Sequence, residues 1–167
     1  MDLSRWRPAV QFLDFWRGAA SPTGTRFARS DAPPEGSAEG YLLVDGEWRT
    51  NVLHLPVLGS GDGGMYATAA DFTAFWAALF AGRIVSRTTV DAMVEPRCDV
   101  PSEGRRYGMG FWLHSTSQTV MLDGLDAGIS FRSVHDPVSA RTLTTISNTA
   151  DGAWPITASL EALYGLN

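Results

Sequence analysis

The sequence contains no lysine, and all 13 basic residues among its 167 are arginine. A chain without a side-chain amine cannot form a Schiff base, cannot supply the lysine of a phosphate-binding loop, and cannot use lysine as a general base. These mechanisms are therefore excluded for the residues of this chain.

Cysteine is nearly absent, since Cys98 is the only one. A single cysteine excludes an intrachain disulfide and a zinc site built on paired cysteines. Arg5, Arg7 and Asp14 interrupt the apolar residues near the start, which argues against a signal peptide. No stretch approaches the roughly 18 consecutive apolar residues that cross a bilayer. As written, the chain is expected to be cytoplasmic, with no membrane span.

Positive charge is in short supply as well. The formal net charge is −5 and the pI is about 5.0, which argues against a nucleic-acid binder that relies on a broad basic face. Apolar residues make up 44% of the chain and aromatic residues 11%, so the chain has enough to bury and is not expected to be disordered. Its length predicts about one domain.

Apolar residues at helical spacing predict four helices. The first covers residues 5–17. The second begins after Thr68, with Asp71 completing a capping box, and ends at Gly82. Ser86 opens a shorter helix that Pro96 stops. The last helix covers 154–164, where the apolar residues expected to share one side are Ile156, Leu160, Leu163 and Tyr164.

The other segments predict strands and loops. Residues 18–40 form a long loop, and 41–53 form a hairpin whose turn is Asp45-Gly46. Residues 97–105 are predicted to be a polar loop. The last third contains short segments rich in β-branched and aromatic residues, RYGMGFWLH, TVMLDGL, SFRSVHDP and RTLTTISNT. They predict three or four consecutive antiparallel strands, and therefore an α+β fold with an antiparallel sheet and flanking helices.

Three patterns are candidates for chemistry but have weak support. Gly59, Gly61 and Gly64 match a dinucleotide-binding pattern, but Pro56 interrupts the preceding strand and no β-α-β unit follows. A turn that lets the backbone pass close to its neighbours explains these glycines better. A catalytic triad stays open, because its members need not be close in sequence, although no Gly-x-Ser-x-Gly elbow is present.

A metal site is the third such candidate. It would use His54, His114 and His135, but these histidines lack the spacing of a metal-binding motif. Each is better explained as a residue at the end of a strand or as one that makes a local hydrogen bond. We therefore expect neither a metal nor an organic cofactor.

The segment VMLDGLDAGISFRS, residues 120–133, offers a fourth candidate. It can be a hairpin with Asp-Gly turn chemistry, or a strand edge whose glycine lets a substrate approach the backbone. The residues that would line such a cleft are Asp123, Gly124, Leu125 and Asp126.

The order of several segments resembles the C-terminal part of the β-lactamase-related serine hydrolases, a family of class C β-lactamases, D-alanyl-D-alanine carboxypeptidases and esterases. These segments are GSGDGGMYATAADFTAFWAALFAGRIVS, RYGMGFWLH, LDGLDAGISFRSVHDP and SNTADGAWP. ASPTGTRFARSD is similar to an altered Pro-Leu-Gly-Met-x-x-Thr-x-Phe segment of the family. The resemblance covers nearly the whole chain and implies a partial β-lactamase/transpeptidase-like fold, with residues 1–167 as one partial domain.

The family's mechanism needs Ser-x-x-Lys, a Tyr-x-Asn or Ser-x-Asn element, and Lys-Thr-Gly or His-x-Gly. This chain has neither of the first two, and the third falls on Leu122-Asp123-Gly124. Only Gly124 and the backbone of Leu125, as an oxyanion donor, carry over from the resemblance. It therefore implies a C-terminal fragment of a serine hydrolase of small-molecule amides or esters, inactive alone, with no catalytic residue of its own.

The alternative function is a non-catalytic binding or complementing subunit. The partner implied in either case is a missing N-terminal half or another copy of the chain, because the sheet would otherwise be left with uncovered edges.

Overall fold

The computed structural model describes residues 24–60 and 63–166. Its strands are β1 Arg26–Phe27, β2 Tyr41–Val44, β3 Glu47–Thr50, β4 Met65–Tyr66, β5 Cys98–Val100, β6 Arg105–Tyr107, β7 Trp112–His114, β8 Val120–Asp126, β9 Ile129–Asp136 and β10 Arg141–Ser147. Its α-helices are α1 Ala69–Phe80, α2 Arg87–Met93 and α3 Ala153–Tyr164. The helix predicted for residues 5–17 lies outside the described residues.

Six of these strands form one antiparallel sheet whose order, β10-β9-β8-β7-β6-β5, follows the chain. The longest pairings join β8 to β9 and β9 to β10, each over seven residue pairs. The predicted α+β class, with an antiparallel sheet and flanking helices, is confirmed.

Two details of the strand prediction were wrong. RYGMGFWLH forms two strands rather than one, because the chain turns at residues 108–111 and Gly110 has a φ of 87°. The predicted polar loop at 97–105 contains β5, which pairs with β6. The polar sequence of β5 hides it, since an edge strand with exposed residues has no apolar alternation.

The two faces of the sheet carry different helices. Val120 belongs to a core cluster with residues of α1 and α2, whereas the next residue, Met121, packs in a second cluster with Leu166, just after α3. Neighbouring residues of a strand point to opposite faces. The helices α1 and α2 therefore cover one face, and α3 covers the other.

Helix α1 forms as the sequence predicts. Thr68 accepts a hydrogen bond from the backbone N–H of Asp71, whose carboxylate accepts one from the backbone N–H of Thr68. The helix then places Trp76 at the centre of the larger core cluster, fully buried. Trp76 Nε1 donates to Ser133 Oγ over 2.8 Å, so burial leaves no unsatisfied indole N–H.

The last helix has nearly the predicted bounds, but the side that carries its larger apolar residues is not the buried one. Ala153, Thr157 and Glu161 face the sheet, while Ile156 and Leu163 are exposed. Small residues let α3 lie close to the strands, and Thr157 Oγ1 bonds to Ala153 O over 2.7 Å, which satisfies its hydroxyl within the helix.

The segments before α1 are short and irregular. The predicted hairpin is confirmed as β2 and β3, and its turn residues Asp45 and Gly46 both have positive φ, 52° and 83°. The described part of the 18–40 loop contains only β1, which pairs with β4. The backbones of Gly59 and Gly64 lie against each other, as the close-approach explanation predicted. Among the described residues, no helix is long and apolar enough to cross a membrane.

Candidate functional site

Strand β8 carries the four predicted site residues, and it is the strand of the sheet that loses a neighbour partway along. Strand β9 pairs with β8 from Val120 to Asp126. Strand β7 pairs only with Val120 and Met121. Within the part of the chain that the structure describes, residues 122–126 therefore form an unpaired edge, which we call the open edge of β8.

The backbone direction at the open edge follows from the hydrogen bond just before it. His114 N donates to Thr119 O over 2.9 Å, so the backbone groups of residue 119 point toward β7. These groups alternate along a strand, and those of Asp123 and Leu125 therefore point out of the open edge. A backbone N–H at such an edge can donate a hydrogen bond to an oxygen of a bound molecule. The side chain of Leu125 is 66% exposed.

The space beside the Cα atom of Gly124 is filled by a neighbouring aromatic ring and is not open to a ligand. A Cβ at this position would collide with the ring of Phe131, its cross-strand partner in β9. Phe131 in turn packs on Phe72 of α1, with 5.1 Å between the ring centroids. The glycine is thus required for packing on the face that α1 covers.

Asp123 lies on the opposite face, beneath α3. Its carboxylate accepts two hydrogen bonds of 2.8 Å from Arg132 of β9 and one of 3.2 Å from Arg105 of β6. All three side chains are less than one-fifth exposed. Trp154 of α3 covers the cluster, with its ring 5.2 Å from Arg132 Cζ. The Asp123 carboxylate therefore faces α3 rather than the open edge.

Asp126 is at the hairpin turn that joins β8 and β9. Its Oδ1 accepts a hydrogen bond of 2.7 Å from Ala127 N, and Gly128 has a φ of 69°. Asn51, which is buried, donates to Ala127 O over 2.8 Å. The turn is thereby attached to the segment after β3, and its contacts explain Asp126 without a ligand.

The four predicted residues thus do not converge on one point. The structure brings only the backbone of Asp123 and Leu125 to the open edge. Gly124 serves packing against Phe131, the Asp123 carboxylate is paired with two arginines, and Asp126 serves the turn.

His114 makes the local hydrogen bonds that the sequence analysis favoured. Its Nδ1 accepts from Ser117 N over 2.9 Å and from Thr116 N over 3.3 Å, which holds the turn after β7. Burial lowers the pKa of His114, and the charges of Arg106 and Arg105 lower it further. An unprotonated Nδ1 fits both observations, because only that form accepts hydrogen bonds.

His135 is buried in the core beside α1. Its ring stacks on Trp76 at a centroid distance of 5.4 Å, and its Nδ1 lies 2.9 Å from Thr142 Oγ1. Burial lowers the pKa of His135. Ser133, two residues earlier, is fully buried, and its Oγ already bonds to Trp76 and Thr144. This histidine and serine are therefore engaged in packing rather than arranged as a base and a nucleophile.

His54 is the third histidine that the sequence analysis considered. It ends a short 3₁₀ helix, Val52–His54, and is exposed. Within residues 24–60 and 63–166, no group of three or more His, Cys, Asp or Glu side chains has an arrangement that could hold a metal ion.

Sequence reasoning missed Glu161. It is buried on the inner face of α3, and its Oε1 has no hydrogen-bond partner among the described residues. Burial raises the pKa of Glu161, while the nearby charges of Arg132 and Arg105 act against that shift and Asp123 adds to it. A single charged residue in an otherwise uncharged helix was the signal that could have found it.

Comparison with solved structures gives three informative likenesses. A penicillin-binding protein from Bacillus halodurans has 29% identity and a TM-score of 0.82 over 90% of this chain and 48% of its own. The octameric penicillin-binding protein homologue from Pyrococcus abyssi has 18% identity and a TM-score of 0.72 over 90% of this chain and 35% of its own. A D-stereospecific amidohydrolase from Streptomyces sp. has 20% identity and a TM-score of 0.59 over 75% of this chain and 39% of its own.

No protein-family model and no curated protein sequence matches the chain. The chain spans about half or less of the length of the three solved structures it resembles. Sequence identity to the first and the shared fold of all three relate this chain to the β-lactamase/transpeptidase-like serine hydrolases, of whose fold it matches a part.

Proposed function

We propose that this chain, as part of a single domain, forms one wall of the acyl-transfer cleft of a serine hydrolase that acts on small-molecule amides or esters. The observation that carries the proposal is the open edge of β8, where the backbone N–H of Leu125 points away from β9. Leu125 follows Gly124, the one residue that the family's third motif shares with this chain.

The proposed role of Leu125 is to donate a hydrogen bond to the oxyanion that forms when a carbonyl carbon is attacked. One such donor is worth about 3 kcal/mol of transition-state stabilisation. The donor acts only where a nucleophile is present. Since the chain has no lysine, it cannot form the Ser-x-x-Lys pair, and we propose that these 167 residues are inactive by themselves.

The first experiment tests that inactivity. The purified chain is incubated with nitrocefin and with p-nitrophenyl acetate, and separately with benzylpenicillin followed by intact-mass measurement. We expect no turnover above the buffer rate and no covalent adduct. Turnover that a serine-to-alanine substitution abolishes, or a penicillin adduct on any serine, would contradict the proposal.

The second experiment tests the contribution of Leu125. The chain replaces the segment it matches in the Bacillus halodurans penicillin-binding protein, and labelling by a fluorescent penicillin is followed over time. Leu125→Pro removes the N–H and is expected to slow labelling roughly 100-fold. Leu125→Ala keeps the N–H and serves as the matched control. Equal labelling rates for the two variants would contradict the proposed role of Leu125 as an oxyanion donor.

A second candidate function is a non-catalytic binding or complementing subunit. What favours it is the outer side of β10, which pairs with no strand in the described part of the chain, together with the exposed Ile146 of β10 and the exposed Leu163 of α3. Another chain or another copy could cover these residues. Benzylpenicillin that shifts the NMR signal of the Leu125 amide without being hydrolysed would favour a binding role over a catalytic one.

A further inference from the structure

The open edge of β8 has lost the backbone pairing that normally fixes a strand on both sides. Around residue 123 the strand is paired with β9, but β7 no longer reaches it. A strand held on one side is free to twist or shift. A backbone donor at this edge therefore needs another restraint.

Asp123 supplies side-chain bonds on both sides of its own strand. Arg132 holds its carboxylate from β9 with two bonds of 2.8 Å, and Arg105 reaches it from β6, across β7, with a bond of 3.2 Å. The Arg105 contact joins two strands that are not neighbours in the sheet. It restrains β8 on the side where the backbone ladder has ended.

Glu161 places a second carboxylate at the same cluster from α3. The charges that act on it come from Arg132 of β9, Arg105 of β6 and Asp123 of β8. Strand β10 carries one charged residue, Arg141, at its exposed start. It also carries Thr145, the cross-strand partner of Arg132, whose buried Oγ1 has no partner among the described residues.

We propose that Asp123 is a positioning residue, which with Arg105 and Arg132 fixes the open edge of β8 from the face opposite α1. The inference rests on the proposed function, because it assigns Asp123 the task of holding the N–H of Leu125 in place. Asp123 does not touch a substrate in this arrangement, and it acts through the strand.

Glu161 makes the restraint sensitive to pH. When its carboxyl is protonated, both arginines are available to Asp123. When it ionises, it competes with Asp123 for Arg132, and the hold on β8 weakens. Burial moves this ionisation above the ordinary carboxyl pKa of 4.5.

The test uses backbone amide exchange, measured by NMR on the whole chain. Leu122 and Gly124, whose amides face β9, report on β8, and Leu143 of β10 is the internal reference. In Asp123→Asn we expect exchange at Leu122 and Gly124 to speed up about tenfold or more relative to Leu143. Asp91→Asn, which breaks the exposed Arg87–Asp91 pair, is the control. It is expected to leave the exchange rates at Leu122 and Gly124 unchanged relative to Leu143.

The pH profile separates positioning from general stabilisation. In the unchanged chain, the chemical shift of the Leu125 amide should titrate with a midpoint above 4.5, and Glu161→Gln should abolish that titration. Asp123→Glu should recover part of the protection lost in Asp123→Asn. Exchange at Leu122 and Gly124 that is unchanged in Asp123→Asn, or a titration that persists in Glu161→Gln, would overturn the inference.

If Asp123→Asn does not fold, Glu161→Gln carries the test alone, because it leaves the Asp123–arginine bonds intact. The readout needs no substrate, so a negative result here leaves the oxyanion role of Leu125 standing. Conversely, if Leu125→Pro and Leu125→Ala are labelled equally by the fluorescent penicillin, the amide-exchange result for Asp123 is unaffected.

Discussion

Phe131 lies over Gly124 on the face of the sheet that α1 covers, and the ring fills the space that a side chain at residue 124 would need. The sequence pattern around this glycine allowed both a turn and a substrate approach. Strand register decides which residue comes close to this glycine. Gly124 and Phe131 are seven residues apart in the chain, but the pairing of β8 with β9 makes them direct cross-strand partners. Register is a tertiary property that glycine spacing alone does not determine.

Gly124→Ala should therefore destabilise the fold. Its methyl group would force the Phe131 ring away from Phe72, at a cost of about 1–3 kcal/mol in the free energy of unfolding. Gly63→Ala is the matched control, because a Cβ there meets no atom within 4 Å. Urea denaturation measures both variants, and an equal effect of the two substitutions would contradict the packing role.

The half-buried His114 and the buried His135 make stability depend on pH. The pKa values of both His114 and His135 are lowered, mainly by burial. The unfolded chain therefore binds protons at a higher pH than the folded chain, so the free energy of unfolding falls as pH drops from about 7 through 6.5 and below.

This dependence should shrink when the histidines are replaced. His135→Phe keeps a ring against Trp76 and does not titrate, and His114→Asn keeps an acceptor near the turn. Urea denaturation between pH 7 and pH 5 is measured in a Glu161→Gln background, because the raised pKa of Glu161 contributes with the opposite sign. An unchanged slope in the double histidine variant would show that other groups cause it.

At the scale of elements, the start of α1 combines a helix cap with a tertiary bond. The Asp71 carboxylate is buried and accepts from Thr68 N over 3.1 Å and from Thr25 Oγ1 over 2.9 Å. Burial alone would raise the pKa of Asp71, but these hydrogen bonds outweigh it and the pKa is lowered. The cap thus ties the segment before β1 to the helix.

Asp71→Ala is expected to cost more than an ordinary cap substitution. Loss of a cap costs about 1 kcal/mol, which is the expectation for Thr68→Ala, and bonds to a charged group add about 1.5–3 kcal/mol. Ser86→Ala removes the exposed cap of α2. It is the control, and it is expected to lower the free energy of unfolding by about 1 kcal/mol. Denaturation curves in which Asp71→Ala and Ser86→Ala coincide would contradict the tertiary role.

Helix bounds could be predicted from the sequence because caps and stops are local signals, as Thr68, Ser86 and the Asp151-Gly152 turn show. The buried side of α3 could not. An apolar stripe predicts burial only when a partner surface exists for it, and here the arginines of β6 and β9 favour the side that carries Glu161. The open edge could not be predicted either, because it depends on where β7 ends.

At the scale of the whole molecule, the described residues leave apolar and polar groups without cover. The outer side of β10 is unpaired in this part of the chain, and Ile156 and Leu163 of α3 are 52% and 72% exposed. Unprotected sheet edges and apolar patches associate with other chains.

The isolated chain is therefore expected to self-associate, with a molecular mass that rises with concentration in light scattering. The double variant Ile156→Glu with Leu163→Glu should shift it toward the monomer. Ala162→Glu, at an exposed position on another side of α3, is the control and should not. A compact monomer that melts cooperatively at every concentration would contradict this expectation.

The order of the six strands has a consequence for how the molecule is made. Each strand from β6 to β10 pairs with the one synthesised just before it, so every ladder of this sheet closes a short loop and costs little chain entropy. A nascent polypeptide leaving the ribosome can add its strands one after another, and only α3 must wait until the last of them has been translated.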